Sequence, residues 1–135
     1  MTLVDVQNII VEGFDALWID TKLEHVNTTI DKTNLTEWAR LSINHGPAKT
    51  FTFAKAAKRS GHASVQIFTK MEIGQGRAIE LAERAGRFLN SLSTGSLVMM
   101  PHEVTVLHNK VSDSLTTTEA SWFQVNCIVD FTYID

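Results

Sequence analysis

Residues 122–135, WFQVNCIVDFTYID, decide the fold class. Apolar side chains occupy every second position of this stretch, at Phe123, Val125, Cys127, Val129, Phe131 and Tyr133. A period of two places them on one face of an extended strand and is hard to fit to a helix. From residue 124 onward the opposite face is polar except at Ile128 and Ile134. We therefore predict a long central strand whose two outward isoleucines belong to a second buried surface, such as a subunit interface.

Two segments in the first half of the chain alternate in the same way. Residues 37–43 and residues 62–70 are predicted to be half-buried strands that pair as a hairpin. The pair Gly46-Pro47 is predicted to end the first strand, because both residues punctuate regular structure. The apolar faces consist of Ala39, Leu41 and Ile43 in the first strand and Ala63, Val65 and Ile67 in the second.

The first helix is predicted at residues 3–18, where apolar side chains recur at spacings of three and four. Thr2 is a suitable N-cap, and Asp5 follows three residues later as a variant of the capping box. The apolar stripe, which includes Val6, Ile10 and Phe14, indicates packing against the core.

A second helix is predicted from residue 77 to about residue 91, after the Gly74-Gln75-Gly76 turn. The pairs Glu80–Arg84 and Glu83–Arg87 stand in the favourable i,i+4 order on its polar side. Its apolar stripe contains small residues, which favours close packing on a sheet; the stripe consists of Ala78, Leu81, Ala82, Ala85, Phe88 and Leu89.

The order of these elements predicts an α+β fold. Short strands are expected at residues 23–26, within a polar connection, and at residues 104–108, before a polar loop. Helix, strand, strand, helix, strand, strand gives a two-layer sandwich, with a mostly antiparallel sheet packed against two helices on one face. The length of 135 residues fits a single domain spanning residues 1–135.

Composition excludes several classes of function. Twelve basic and fifteen acidic residues give a net charge of −3, which disfavours specific nucleic-acid binding. No apolar run approaches the ~20 residues that span a bilayer, so no membrane partner is expected. The start of the chain lacks the features of a signal peptide, which predicts synthesis in the cytoplasm. Cys127 is the only cysteine, so no intramolecular disulfide can form.

No catalytic, metal-binding or cofactor-binding motif is present. None of the five histidines forms an HExxH pair, and no GxSxG sequence occurs. Cys127 lies among apolar residues, which indicates a buried and inert thiol. We therefore expect no catalytic residues, metal or cofactor. A small enzyme whose site is assembled across the fold remains the rival hypothesis from another class.

The most unusual segment is residues 48–61, AKTFTFAKAAKRSG, which is basic and carries no acidic residue. It is either a protruding loop or the extended tip of the hairpin. Exposed aromatic side chains beside charges favour a docking tip. The alternatives are a solvated hairpin end that prevents aggregation and a groove that binds single-stranded nucleic acid. The candidate docking residues are Phe51, Phe53, Lys55, Lys58 and Arg59.

The order of three motifs resembles the tail-terminator-like family of long-tailed bacteriophages. The motifs are GHASVQIFTK at residues 61–70, GQGRAIELAERAGRFL at residues 74–89 and SWFQV at residues 121–125. Each motif alone is also typical of a generic strand or helix, so their order along the chain carries the resemblance. The basic segment before Gly61 is longer than the family pattern, and its role is not implied by it.

The resemblance implies a structural virion protein without catalysis or cofactor. Such subunits form a hexameric ring at the head-proximal end of the tail tube, stop its polymerisation and present a surface to head-completion proteins. A ring of this kind needs two different contact patches on each subunit. The expected partners are copies of the chain, the tail tube protein and a head-completion protein, with DNA passing through the ring. Another head-tail connector, such as a head-closure or neck subunit, is the alternative within this class.

Overall fold

A computed structural model of the protein describes residues 1–26, 28–50, 57–70, 75–107 and 122–134. It confirms the predicted α+β fold, with two helices packed on a mostly antiparallel sheet. The elements in chain order are α1 (Leu3–Leu17), β1 (Lys22–His25), β2 (Glu37–Thr50), β3 (Ala57–Lys70), α2 (Gln75–Asn90), β4 (Val98–Met99), β5 (Glu103–Leu107) and β6 (Trp122–Ile134).

The sheet is organised around β3 and β6, which pair antiparallel from Lys58↔Ile134 to Lys70↔Trp122. β2 pairs antiparallel with β3 on the other side, and β1 adds a parallel edge strand against β2. Both β4 and β5 pair with the remaining edge of β6, at different positions along that strand. The long last strand is therefore central, as its alternating pattern predicts.

The main core lies between the helices and one face of the sheet. One core cluster contains Val6, Ile10 and Phe14 of α1, the stripe of α2 and the six alternating residues of β6, and all six of the β6 residues are buried. Fully burying side chains of this size contributes about 1.5–3 kcal/mol each, so this layer supplies most of the stabilisation. The opposite face, called the outer face below, is covered by neither described helix.

The ends of α1 agree with the sequence pattern. The hydroxyl of Thr2 accepts a hydrogen bond from the Asp5 amide, and the Asp5 carboxylate accepts one from the Thr2 amide. The helix ends at Leu17, one residue before the predicted end, and the Trp18 amide donates to the Phe14 carbonyl.

The strand β2 does not end at Gly46-Pro47, contrary to the sequence prediction. It continues to Thr50, and the pairing register with β3 shifts between His45 and Ala48. Two residues of β2 therefore stand opposite one residue of β3, as in a β-bulge, where proline costs no ladder hydrogen bond. In the basic segment, residues 48–50 and 57–61 are consequently strand residues that extend the hairpin.

Three further details differ from the predictions. α2 begins at Gln75, so Gly76 lies inside the helix and not in a turn before it. In the described part of the chain, Glu83 pairs with His102 rather than Arg87, at 2.8 Å, whereas Arg84 does pair with Glu80. The two-residue strand β4 was not predicted, because two residues are too few to display a period.

Candidate interaction surfaces

The structure brings together candidate residues from the two ends of the sequence. Lys58 of β3 and Ile134 of β6 are direct cross-strand partners at the tip of the hairpin. Both side chains are exposed and point to the outer face, and 46% of Ile134 is accessible. Val98 of β4, opposite Thr132 and 48% exposed, lies diagonally from Ile134. We call Lys58, Val98 and Ile134 the tip patch.

Arg59 lies beside the tip patch but faces the other way. It is the cross-strand partner of Tyr133, whose side chain is buried on the helix-covered side, and Arg59 itself is half-buried. Phe51, Phe53 and Lys55 lie outside the described residues, so their predicted docking role stays a prediction.

Ile128 belongs to the outer face but not to the tip patch. It is half-buried between Ser64 of β3 and Glu103 of β5. Six residues separate it from Ile134 along β6, which corresponds to roughly 20 Å of extended strand. The two outward isoleucines therefore mark two places on the outer face.

Polar side chains cover the middle of the outer face. The hydroxyls of Ser42 and Ser64 are 3.0 Å apart, and Asn44 Nδ2 lies 3.0 Å from His62 Nε2. Arg40 donates to the Gln66 side chain at 3.3 Å in the same cross-strand pattern. These bonds link β2 to β3 and leave a hydrophilic surface between the tip and the far end of the sheet.

An aromatic cluster occupies the far end of the outer face. Trp38 stacks on Phe68 with 4.1 Å between ring centroids, and Trp122 meets Trp38 edge-on at 6.3 Å. Ile30 and Leu35, from the connection between β1 and β2, pack on this cluster. Trp38 is only 1% exposed, although it alternates with Ala39 and Leu41 of the predicted apolar face, and the half-buried strand therefore predicts a solvated position for it. The connection covers it, which corrects that prediction.

A buried carboxylate fastens this connection to the sheet. Glu24 Oε2 accepts a hydrogen bond from Arg40 Nε at 2.8 Å, and its other oxygen lies 3.1 Å from Lys32 Nζ. The Ile30 amide also donates to Glu24, at 3.3 Å. Burial raises the pKa of Glu24, but these three donors outweigh it and hold the pKa below the ordinary value.

The outward side of α1 is acidic. Asp5, Glu12 and Asp15 are all exposed, and the helix contains no lysine or arginine. Asp15 lies 3.2 Å from His25 Nε2. Between this side of α1 and the turn before β4 lies an open depression of about 560 Å³, lined by Met1, Asp5, Asn8, Ile9, Glu12 and Ser96. We call it the α1 depression.

Two titratable groups outside these surfaces, His45 and Cys127, have pKa values shifted by burial. His45 Nε2 lies 2.9 Å from the Gln7 side chain, and burial lowers the pKa of His45. Burial, and to a smaller degree Glu83, raises the pKa of the Cys127 thiol to about 12. Among the described residues, no group of three or more His, Cys, Asp or Glu side chains is placed to hold a metal ion. His108 lies outside them.

The α1 depression and Val98 were not predicted as parts of a site. A sequence signal exists for the depression, since α1 carries three carboxylates and no basic residue, but the apolar stripe of α1 indicates only core packing. The sequence contains no such signal for Val98, because its position depends on the pairing of β4 with β6.

Comparison with known proteins supports the fold alone. No protein-family model and no curated protein matches the chain. A solved structure of a protein whose name states no function is similar over 94% of both chains, with a TM-score of 0.60 and 13% sequence identity. None of the helices in the described part of the chain has the length and apolar character needed to cross a membrane.

Proposed function

We propose that this protein is a tail-terminator subunit of a long-tailed bacteriophage. Copies close into a ring, six by the family resemblance, at the head-proximal end of the tail tube. The ring stops polymerisation of the tube protein and presents a surface to a head-completion protein. The protein then acts in the virion tail and, during assembly, in the host cytoplasm, without catalysis.

The observation that carries this proposal is the one-sided covering of the sheet. Both helices pack on one face, while the outer face carries an exposed apolar side chain at each of Ile134 and Val98. Every subunit of a closed ring contacts its two neighbours through different surfaces. A helix layer on one side and a sheet face without described helices on the other supply two such surfaces on a small chain.

The charge of the chain also supports a ring through which DNA passes. Arg40, a basic residue of the outer face, is engaged by Glu24. Tight DNA binding needs several basic side chains that replace counterions along the phosphates. With a net charge of −3, the chain favours passage of DNA over retention.

Electron microscopy of the purified protein tests the proposal. We expect particles with rotational symmetry and a central opening wide enough for duplex DNA, about 20 Å or more. A variant with Ile134→Asp should show fewer rings, because a charge replaces an exposed aliphatic side chain at the tip. Lys22→Asp, on the edge strand β1, is the matched control. Compact particles without an opening at all concentrations would contradict the proposal.

A further inference from the structure

The tip patch and the α1 depression lie on opposite layers of the same molecule. Lys58 and Ile134 point away from the helices, whereas Asp5 and Glu12 lie on the outward side of a helix. Both surfaces lie near the same end of the sheet, because Ser96, which lines the depression, donates a hydrogen bond to the Ile134 carbonyl at 3.4 Å. A stack of copies arranged front to back would bring one surface against the other.

The two surfaces are complementary in charge. The described tip exposes Lys58, and residues 48–61 contain four basic residues and no acidic one. The α1 depression presents the carboxylates of Asp5 and Glu12, with no basic residue anywhere on α1. Charges of opposite sign on facing surfaces accelerate encounter and fix the relative orientation of the partners.

The two surfaces also match in their apolar parts. Ile134 and Val98 are each nearly half exposed at the tip. Met1 and Ile9 are half-buried and line the depression together with the carboxylates. An aliphatic contact surrounded by opposite charges is the usual anatomy of a specific interface.

Two of the three carboxylates on α1 have partners within the chain. Asp5 belongs to the capping box with Thr2, and Asp15 lies 3.2 Å from His25 Nε2. Glu12 is exposed and has no ion pair among the described residues. Glu12 is therefore the carboxylate of the α1 depression that is available to a basic side chain of another molecule.

We infer that the α1 depression binds the tip patch of a second copy of this chain, with Lys58 between Glu12 and Asp5 and with Ile134 against Ile9. The contact is head-to-tail, since each copy uses its sheet face toward one neighbour and its helix face toward the other. This inference rests on the proposed ring and specifies which surfaces close it.

A charge swap tests the contact. Lys58→Glu and Glu12→Lys are each expected to raise the protein concentration at half assembly by about tenfold or more, since each places like charges together. The double variant restores an opposite pair and should return to within about threefold of the unmodified protein. Glu12→Lys does not weaken α1, because glutamate and lysine have similar helix propensities at an exposed position, and thermal unfolding verifies that each variant is folded.

Lys22→Glu and Glu103→Lys are the matched controls, since both positions are exposed and lie outside the two surfaces. Sedimentation velocity across a concentration series gives the assembled fraction of each protein. The contact would be refuted if the single variants assembled as well as the controls, or if the double variant assembled no better than the single variants. Neither result would contradict the ring. A protein that remains monomeric at every concentration would refute the contact and the ring together.

Discussion

At the scale of single residues, His102 joins the β4–β5 connection to α2. Its Nδ1 lies 2.8 Å from Asn90 Oδ1, and its Nε2 lies 2.8 Å from Glu83 Oε2. Asn90 also donates to the Met100 carbonyl, which fixes the orientation of its amide. The ring rests directly on Gly86, where an added Cβ would stand 2.3 Å from His102 Cγ. A glycine in the middle of a helix is thereby explained by close packing.

We predict that Gly86→Ala lowers the free energy of unfolding by about 1–2 kcal/mol. Overpacking against a ring held at both nitrogens costs about 1–3 kcal/mol, which exceeds the helix propensity gained from alanine. Gly76→Ala is the control in the same helix, because nothing lies within 4 Å of its added Cβ. Urea unfolding of both variants measures the difference. Equal stabilities would show that His102 moves aside freely.

The thiol of Cys127 provides a second test at this scale. Its pKa of about 12, against 9.0 for the free side chain, means that the native thiol stays protonated well above pH 8. We expect a disulfide reagent at pH 8 to react on the order of a hundred times more slowly with the native protein than with the urea-unfolded chain.

The same pKa difference affects stability at high pH. The unfolded thiol ionises from about pH 9 while the native thiol does not, so the free energy of unfolding falls between pH 9 and pH 12. Rapid labelling of the native protein at pH 8 would contradict the buried position of Cys127.

At the scale of elements, Glu24 connects β1, β2 and the segment between them. We predict that Glu24→Gln lowers the free energy of unfolding by about 2–4 kcal/mol at pH 7, because Arg40 and Lys32 lose their common counter-charge. Detachment of the segment from Trp38 should also shift tryptophan fluorescence to longer wavelength. Glu103→Gln, at an exposed position of β5, is the control.

The pH dependence of this effect has a definite sign. The pKa of Glu24 is lower in the folded state than in the unfolded chain, so its contribution is complete above the ordinary value of 4.5 and is lost as the pH falls through the folded pKa. The stability difference between the unmodified protein and Glu24→Gln should therefore narrow at low pH. A difference that is independent of pH would mean that packing, and not charge, causes it.

The elements differ in how far the sequence predicts them. The period of β6 is strict over its length, and the Thr2–Asp5 cap is a local signal, so both were predicted and are confirmed. Gly46-Pro47 is typical of a strand end and of a bulge alike, and only pairing with β3 distinguishes the two. The burial of Trp38 depends on Ile30 and Leu35, which lie in a connection without any period.

The candidate site was predictable only in parts. The sequence indicates a basic segment and two outward isoleucines, but it contains no signal that Lys58 pairs with Ile134 or that Ile128 lies apart from them. Such contacts arise from strand register, which joins residues far apart in the chain. The α1 depression depends in the same way on Ser96 approaching the helix.

At the scale of the whole molecule, the tip is expected to act through its charge. Reversal of Lys55, Lys58 and Arg59 together should leave the protein folded but weaken assembly, with an unchanged circular dichroism spectrum as the check on folding. Because Arg59 is half-buried beside Tyr133, Lys58→Glu alone should weaken assembly more than reversal of Arg59 alone. If the triple variant assembled as well as the unmodified protein, the charges of the tip would have no role in assembly.

Salt gives an independent test of that charge dependence. Salt screens the attraction between exposed charges, with a Debye length of about 8–10 Å at 0.1–0.15 M salt. Raising the salt concentration should therefore shift the unmodified protein toward monomers. The charge-swapped double variant should shift by a similar amount, since it contains the same number of opposite pairs. Assembly that strengthens with salt would indicate that apolar contacts dominate.

The absolute mass in solution, measured by light scattering across a series of protein concentrations, tests the proposed ring most directly. The ring predicts a mass that rises with concentration and levels off near six times 15.1 kDa, because a closed assembly has no free ends. A mass of one subunit at every concentration, or a mass that keeps rising without a plateau, would contradict a closed ring.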